Sequence, residues 1–137
     1  MTLLEKIQAI KLPFADLKGV IFTDAEQDRV VARMLVRPDL CTAGHIAHGG
    51  AIMALADNAG GTATTANLKE GQSTTTIESK TNFFAAIPIG DVARAEAIAL
   101  HRGRTTMVWQ TRITRSDGKL CALVTQTQMV LDKRGEK

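Results

Sequence analysis

From Ser73 to Leu131 the chain alternates with period two through four segments: Ser73 to Phe84, Asp91 to His101, Thr105 to Arg115 and Lys119 to Leu131. Such alternation marks strands with one buried and one open face. The second segment restricts the fold most. Ala93, Ala95, Ala97 and Ala99 share one face, whereas Val92, Arg94, Glu96, Ile98 and Leu100 take the other. A row of methyl groups lets something large lie close to the sheet. The segment Gly50 to Leu68 fits that role, because it is rich in Ala and Gly and too apolar around its circumference for a surface helix. Gly60-Gly61 should weaken this helix midway, since glycine costs ~1 kcal/mol per position relative to alanine.

Pro88-Ile89-Gly90, Arg102-Gly103-Arg104 and Ser116-Asp117-Gly118 separate the four segments and read as hairpin signals, so the sheet is expected to be antiparallel. Upstream, Leu3, Ile7 and Ile10 give a short packing helix over Thr2 to Ile10, stopped by Pro13. Gly19 to Thr23 and Arg29 to Val36 read as strands joined across the polar turn Asp24 to Asp28. The expected class is α+β, with an antiparallel sheet of about six strands wrapped around one central helix. A single domain over residues 1–137 is expected, with 1–17 as an N-terminal packing segment and 132–137 as a polar tail.

Composition narrows function mainly by exclusion. At 137 residues and 45% hydrophobic, the chain suits one core that buries roughly two-thirds of the unfolded surface. No apolar run approaches the ~20 residues of a membrane helix, and the start lacks the order of a signal peptide, so a cytoplasmic protein is expected. Cys41 and Cys121 are too few for a disulfide framework or a zinc site. A net charge of +3 spread along the chain, with one Trp, four Phe and no Tyr, argues against a nucleic-acid platform.

Between Asp39 and Lys69 the only formal charge is Asp57, set in an apolar run that follows His48-Gly49-Gly50. Such a carboxylate either meets hydrogen-bond donors or shifts its pKa, and active sites arrange both. The competing reading is a carboxylate satisfied locally at a helix surface. Gly49 and Gly50 fall where a helix begins, with its first amides unpaired at the positive end of the macrodipole. Glycine there lets a carbonyl oxygen approach, and one such donor is worth ~3 kcal/mol to a developing oxyanion. The plainer reading is a tight turn. Eight residues along one helix is ~12 Å, whereas a polarising amide and a base must both lie ~3 Å from one reacting carbonyl. One copy of this helix cannot supply both. Either the pairing is false or a second subunit brings its Asp57 to the first subunit's Gly49.

His45 and His48 form His-x-x-His, but both precede the helix and Asp57 sits two turns away, so no metal is expected. Gly-x-Ser-x-Gly and both nucleotide-binding glycine patterns are missing. Arg102-Gly103-Arg104 is either a solvated turn or a grip for phosphates at a pocket mouth. Thr74-Thr75-Thr76 opens a strand, and one of these hydroxyls can reach the site.

With His48-Gly49-Gly50, the run Ala51 to Asp57, and Thr81-Asn82-Phe83-Phe84, the chain resembles the hot-dog-fold acyl-CoA thioesterases, more narrowly the phenylacetate-degradation type of the 4-hydroxybenzoyl-CoA thioesterase superfamily. The likeness covers roughly Gly19 to Leu131. It implies a homodimer, often a dimer of dimers, with active sites between subunits and no cofactor. It implies that Gly49 polarises the carbonyl, that Asp57 is general base or nucleophile, that His48 lines the pocket beside Gly50, and that Gly103 and Arg104 lie near the coenzyme A phosphates, next to Arg102. Thr76 lies close to a family Ser/Thr that helps place water. Thr42, fifteen positions before Asp57, stands where relatives commonly carry Asn or Gln. The implied activity is hydrolysis of a small or medium acyl- or aryl-CoA. The alternatives are a non-catalytic acyl-CoA binder and a hot-dog hydratase or dehydratase.

Overall fold

The computed structural model describes residues 1–132. Residues 133–137, most of the expected polar tail, lie outside the described residues.

Two short helices come first, α1 over Leu3–Gln8 and α2 over Pro13–Lys18. Thr2 and Glu5 form a capping box that starts α1: the Thr2 side chain accepts from the Glu5 amide, and the Glu5 carboxylate accepts from the Thr2 amide. Pro13, expected only to stop a helix, opens the second one instead. Its missing N–H costs nothing in the first turn, where the amide has no intrahelical partner anyway. Strands β1 (Ile21–Glu26) and β2 (Arg29–Leu35) form a hairpin. The expected five-residue turn shrinks to Gln27 and Asp28, because Asp24, Ala25 and Glu26 pair with Val31, Val30 and Arg29. Two two-residue strands follow, β3 (Cys41–Thr42) and β4 (Ile46–Ala47), too short to leave a period in the sequence.

The long helix α3 runs over Gly49–Thr65 and is continuous through Gly60-Gly61. The expected weakness is absent for a packing reason. A Cβ on Gly60 would lie 2.3 Å from Gln126 Oε1, so the missing side chain is the space that Gln126 fills. Strands β5 (Ser73–Phe83), β6 (Val92–Arg102), β7 (Thr106–Thr114) and β8 (Leu120–Leu131) complete a six-stranded sheet in the order β1-β2-β6-β7-β8-β5, antiparallel throughout. The hot-dog architecture is as expected. Ala93, Ala95 and Ala97 are fully buried beneath α3 with Leu55, Ala56, Ala59 and Ala63. One hairpin expectation is corrected: Pro88-Ile89-Gly90 does not join neighbours, since β5 lies at the far edge and β6 pairs with β2.

Strand β5 has a bulge at Ile77, because Thr76 pairs with Gln128 while Glu78 pairs with Thr127. An extra residue reverses which side chains face the helix. Thr74 and Thr76 face it before the bulge, and Thr81 and Phe83 after it, opposite Val124 and Ala122 of β8. One strand therefore serves both the start and the middle of α3.

Candidate active site

His48 is the N-cap of α3, and its Nδ1 accepts from the Gly50 amide at 2.8 Å. Accepting there leaves the ring proton on Nε2, so a neutral His48 presents an N–H outward. The Gly50 amide is thereby occupied. Gly49 precedes it as the first helical residue, and its amide has no hydrogen-bond partner among the described residues. A side chain at Gly49 would meet the Phe83 ring at 3.3 Å. Gly49, Thr42, Ile46, Ile52, Phe83 and Phe84 line a largely apolar cavity of about 400 Å³. Thr42 and Gly49 thus line the same cavity.

Two turns on, Asp57 is exposed in the single chain rather than enclosed by the apolar helix. It lies on a stripe with Gly50, Met53 and Thr65, also exposed, while Ile52, Leu55, Ala56 and Ala59 are buried on the opposite side. Its donors come from the sheet. The Thr76 hydroxyl donates to Asp57 Oδ1 at 2.7 Å, and Gln126 Nε2 donates to the same oxygen at 3.3 Å. Gln128 Nε2 donates to Thr76 Oγ1 at 2.6 Å, and the single hydroxyl hydrogen of Thr74 has two acceptors in reach, the Met129 carbonyl at 2.8 Å and Gln128 Oε1 at 3.0 Å. Beside them, Lys18 from α2 is almost wholly buried, donates to Asn58 Oδ1 and lies 4.0 Å over the Phe14 ring. Burial pushes the Lys18 ammonium down from its usual value, and the charge of Asp57 works against that shift.

The structure therefore unites Asp57 with Thr76, and Gly49 with Thr42, but leaves the two pairs in separate cavities. Asp57 borders one of about 250 Å³ with Asn58, Thr74, Thr76 and Gln128. At the far end of α3, Arg102, Gly103 and Arg104 line an open polar cavity of about 680 Å³ with Asn67 and Lys69. Arg102 Nη1 donates to Asn67 Oδ1 at 3.2 Å, and the Gly103 amide donates to the Thr106 carbonyl. His45 has φ 59° in the turn before α3, and among the described residues no three His, Cys, Asp or Glu side chains gather as a metal site.

Gln126, Gln128 and Lys18 are not among the expected site residues, and Phe83, part of the Thr81-Asn82-Phe83-Phe84 motif, had no expected role in the site. For the glutamines a signal existed: both fall at inward positions of β8, between Val124 and Val130, where a period-two strand otherwise carries apolar side chains. Lys18 left no such mark, since nothing local says that a lysine will be buried.

A family model described as the thioesterase superfamily matches residues 44–122. A curated Haemophilus influenzae relative, named only provisionally as an esterase, is 31% identical over 87 residues, or 64% of this chain. The chain spans 62% of that relative's length. Among solved structures, a Haemophilus influenzae thioesterase superposes with a TM-score of 0.89 at 25% identity, covering 99% of this chain and 94% of the other. A hypothetical thioesterase of Streptococcus pneumoniae, solved with coenzyme A, gives 0.76 at 26% identity, covering 85% and 88%.

Proposed function

Because the chain belongs to the thioesterase superfamily, we propose that it hydrolyses a small or medium acyl- or aryl-CoA thioester to the free acid and coenzyme A, at a site shared between two copies of a single-domain chain. In this reaction water adds to the thioester carbon, the C–S bond breaks, and the sulfur leaves as coenzyme A thiol. Gly49's free amide polarises the carbonyl, Asp57 of the partner subunit accepts the water proton and passes it to the departing sulfur, and Thr76 holds that carboxylate. Thr42 shares the Gly49 cavity and contacts the substrate there, and His48 and Gly50 fix the start of the helix. The guanidinium groups of Arg102 and Arg104 grip the coenzyme A phosphates, while the Gly103 amide, donated to the Thr106 carbonyl, keeps the turn that carries them in place.

The observation that carries this reading is the spacing about Met53. In an antiparallel pair of helices related by a two-fold axis at residue n, residue n−k faces n+k of the partner. Met53 is a large apolar side chain left 39% exposed, and Gly49 and Asp57 lie four residues to either side. A two-fold axis there brings each Gly49 opposite an Asp57, closing the ~12 Å gap that one helix leaves open. The free edge of β5, which among the described residues pairs only with β8, lies beside the same stripe and supports the same neighbour.

Release of free thiol from an acyl-CoA panel tests the proposal. Turnover should fall at least 100-fold in Asp57→Ala, in line with the 10²–10⁴-fold contribution of a positioned base. Equal rates in the variant and its parent would remove Asp57 from the chemistry.

A further inference from the structure

We propose that Gln126 and Gln128 are positioning residues that commit Asp57 Oδ1 to the protein and leave Oδ2 as the reacting oxygen. This rests on the reading of Asp57 as the base. Both hydrogen bonds to the carboxylate end on Oδ1, one from the Thr76 hydroxyl at 2.7 Å and one from Gln126 Nε2 at 3.3 Å. None among the described residues ends on Oδ2. The direction of the chain of bonds is also set. Gln128 Nε2 can only donate, so Thr76 Oγ1 must accept from it and spend its single hydrogen on Asp57. Thr76 therefore orients the carboxylate and has no hydrogen left to offer the attacking water.

The cost of this arrangement lies at Gln126. Its side chain is fully buried, and its Oε1 has no hydrogen-bond partner among the described residues. A buried amide oxygen left unpaired opposes folding, and a purely structural side chain at this position would be expected to be apolar. The helix also yields a side chain at Gly60 to admit it, since a Cβ there would come within 2.4 Å of Gln126 Cδ. An unpaired polar atom and a glycine in mid-helix both weaken the fold, and both serve to deliver one N–H to Asp57. Fold stability given up around a reacting group is the mark of a residue kept for function.

The test compares the whole protein with Gln126→Met, Gln128→Leu and Asp57→Asn, reading kcat and KM for thiol release together with the thermal midpoint. Methionine keeps the volume and removes both polar atoms. Gln126→Met is expected to lower kcat about tenfold or more, leave KM within about twofold, and melt at or above the parent temperature. A structural role predicts the reverse: a lower midpoint and an unchanged kcat. Gln128→Leu should lower kcat in the same way through Thr76. In an Asp57→Asn background neither substitution should reduce the residual rate further, because their effect runs through that carboxylate. If Asp57→Asn abolishes turnover while Gln126→Met and Gln128→Leu keep the parent kcat, the positioning role is wrong and the base assignment stands. If Asp57→Asn is fully active, the reading of the site itself is overturned, and this inference with it.

Discussion

Alanine at Gly60 and alanine at its neighbour Gly61 should change stability in opposite directions. Both substitutions favour the helix by up to about 1 kcal/mol, since alanine is the better helix former. At Gly61 little opposes this gain, because the new Cβ would meet only Gln128 Nε2, at 4.0 Å. At Gly60 the Cβ would fall 2.3 Å from Gln126 Oε1, 2.4 Å from Cδ and 2.8 Å from Nε2. The carboxamide must move, and Gln126 is fully buried, so its shift has to displace packed neighbours or break its bond to Asp57. Overpacking of this kind costs about 1–3 kcal/mol, and losing the Gln126 bond to Asp57 adds about 1 kcal/mol. Gly60→Ala should therefore be less stable than the parent by about 1–3 kcal/mol, and Gly61→Ala more stable by up to about 1 kcal/mol. Urea unfolding at equal chain concentration reads both, because association contributes to apparent stability. For a chain of this length the thermal midpoints of the two variants should lie on the order of 10 °C apart. A Gly60→Ala protein as stable as its parent would refute the reasoning, since it would mean that the helix and β8 are not as tightly packed there as the distances require.

Two further outcomes are expected. Arg102→Ala with Arg104→Ala should raise KM for coenzyme A thioesters about tenfold, as the loss of exposed charge-assisted contacts predicts, while KM for the pantetheine thioester of the same acid stays unchanged in steady-state assays. Thiol titration at neutral pH should find one fast-reacting cysteine per folded chain and two after unfolding. Burial pushes the Cys121 thiol up from its usual value and denies it the thiolate form that alkylation needs, whereas Cys41 is half-buried.

The sheet was legible in the sequence because period-two alternation survives wherever one strand face meets a core, and the alanine row of β6 named its partner. What escaped depends on contacts far apart in the chain. Pro88-Ile89-Gly90 has the chemistry of a hairpin turn, but strand order is settled by which faces pack on α3, and β6 goes to β2. The Ile77 bulge is invisible to alternation, because one extra residue changes facing without changing residue type. Gly60-Gly61 read as a weak point through helix propensity alone, and the structure shows why tertiary packing wins there. In the site, Gly49 stands at the helix start, as the glycine pair indicated, whereas the capping of that helix by His48 left no signal in the sequence. Asp57 was conspicuous as an isolated charge. Its partners were not, since Thr76 and Gln126 reach it from strands 19 and 69 residues away.

The central claim is that each site takes Gly49 from one chain and Asp57 from another, and mixed dimers test it. Proline at the first helical position removes the Gly49 amide hydrogen while suiting the helix start, so Gly49→Pro and Asp57→Ala each disable one half of the site. Either variant alone should be inactive. Refolded together in equal amounts, half of the dimers contain one chain of each kind, and each of those has one site with both groups intact. Thiol release should then recover to about a quarter of the parent rate, as two-fold symmetry requires. A mixture that forms mixed dimers and yet stays as inactive as its components would contradict the shared site.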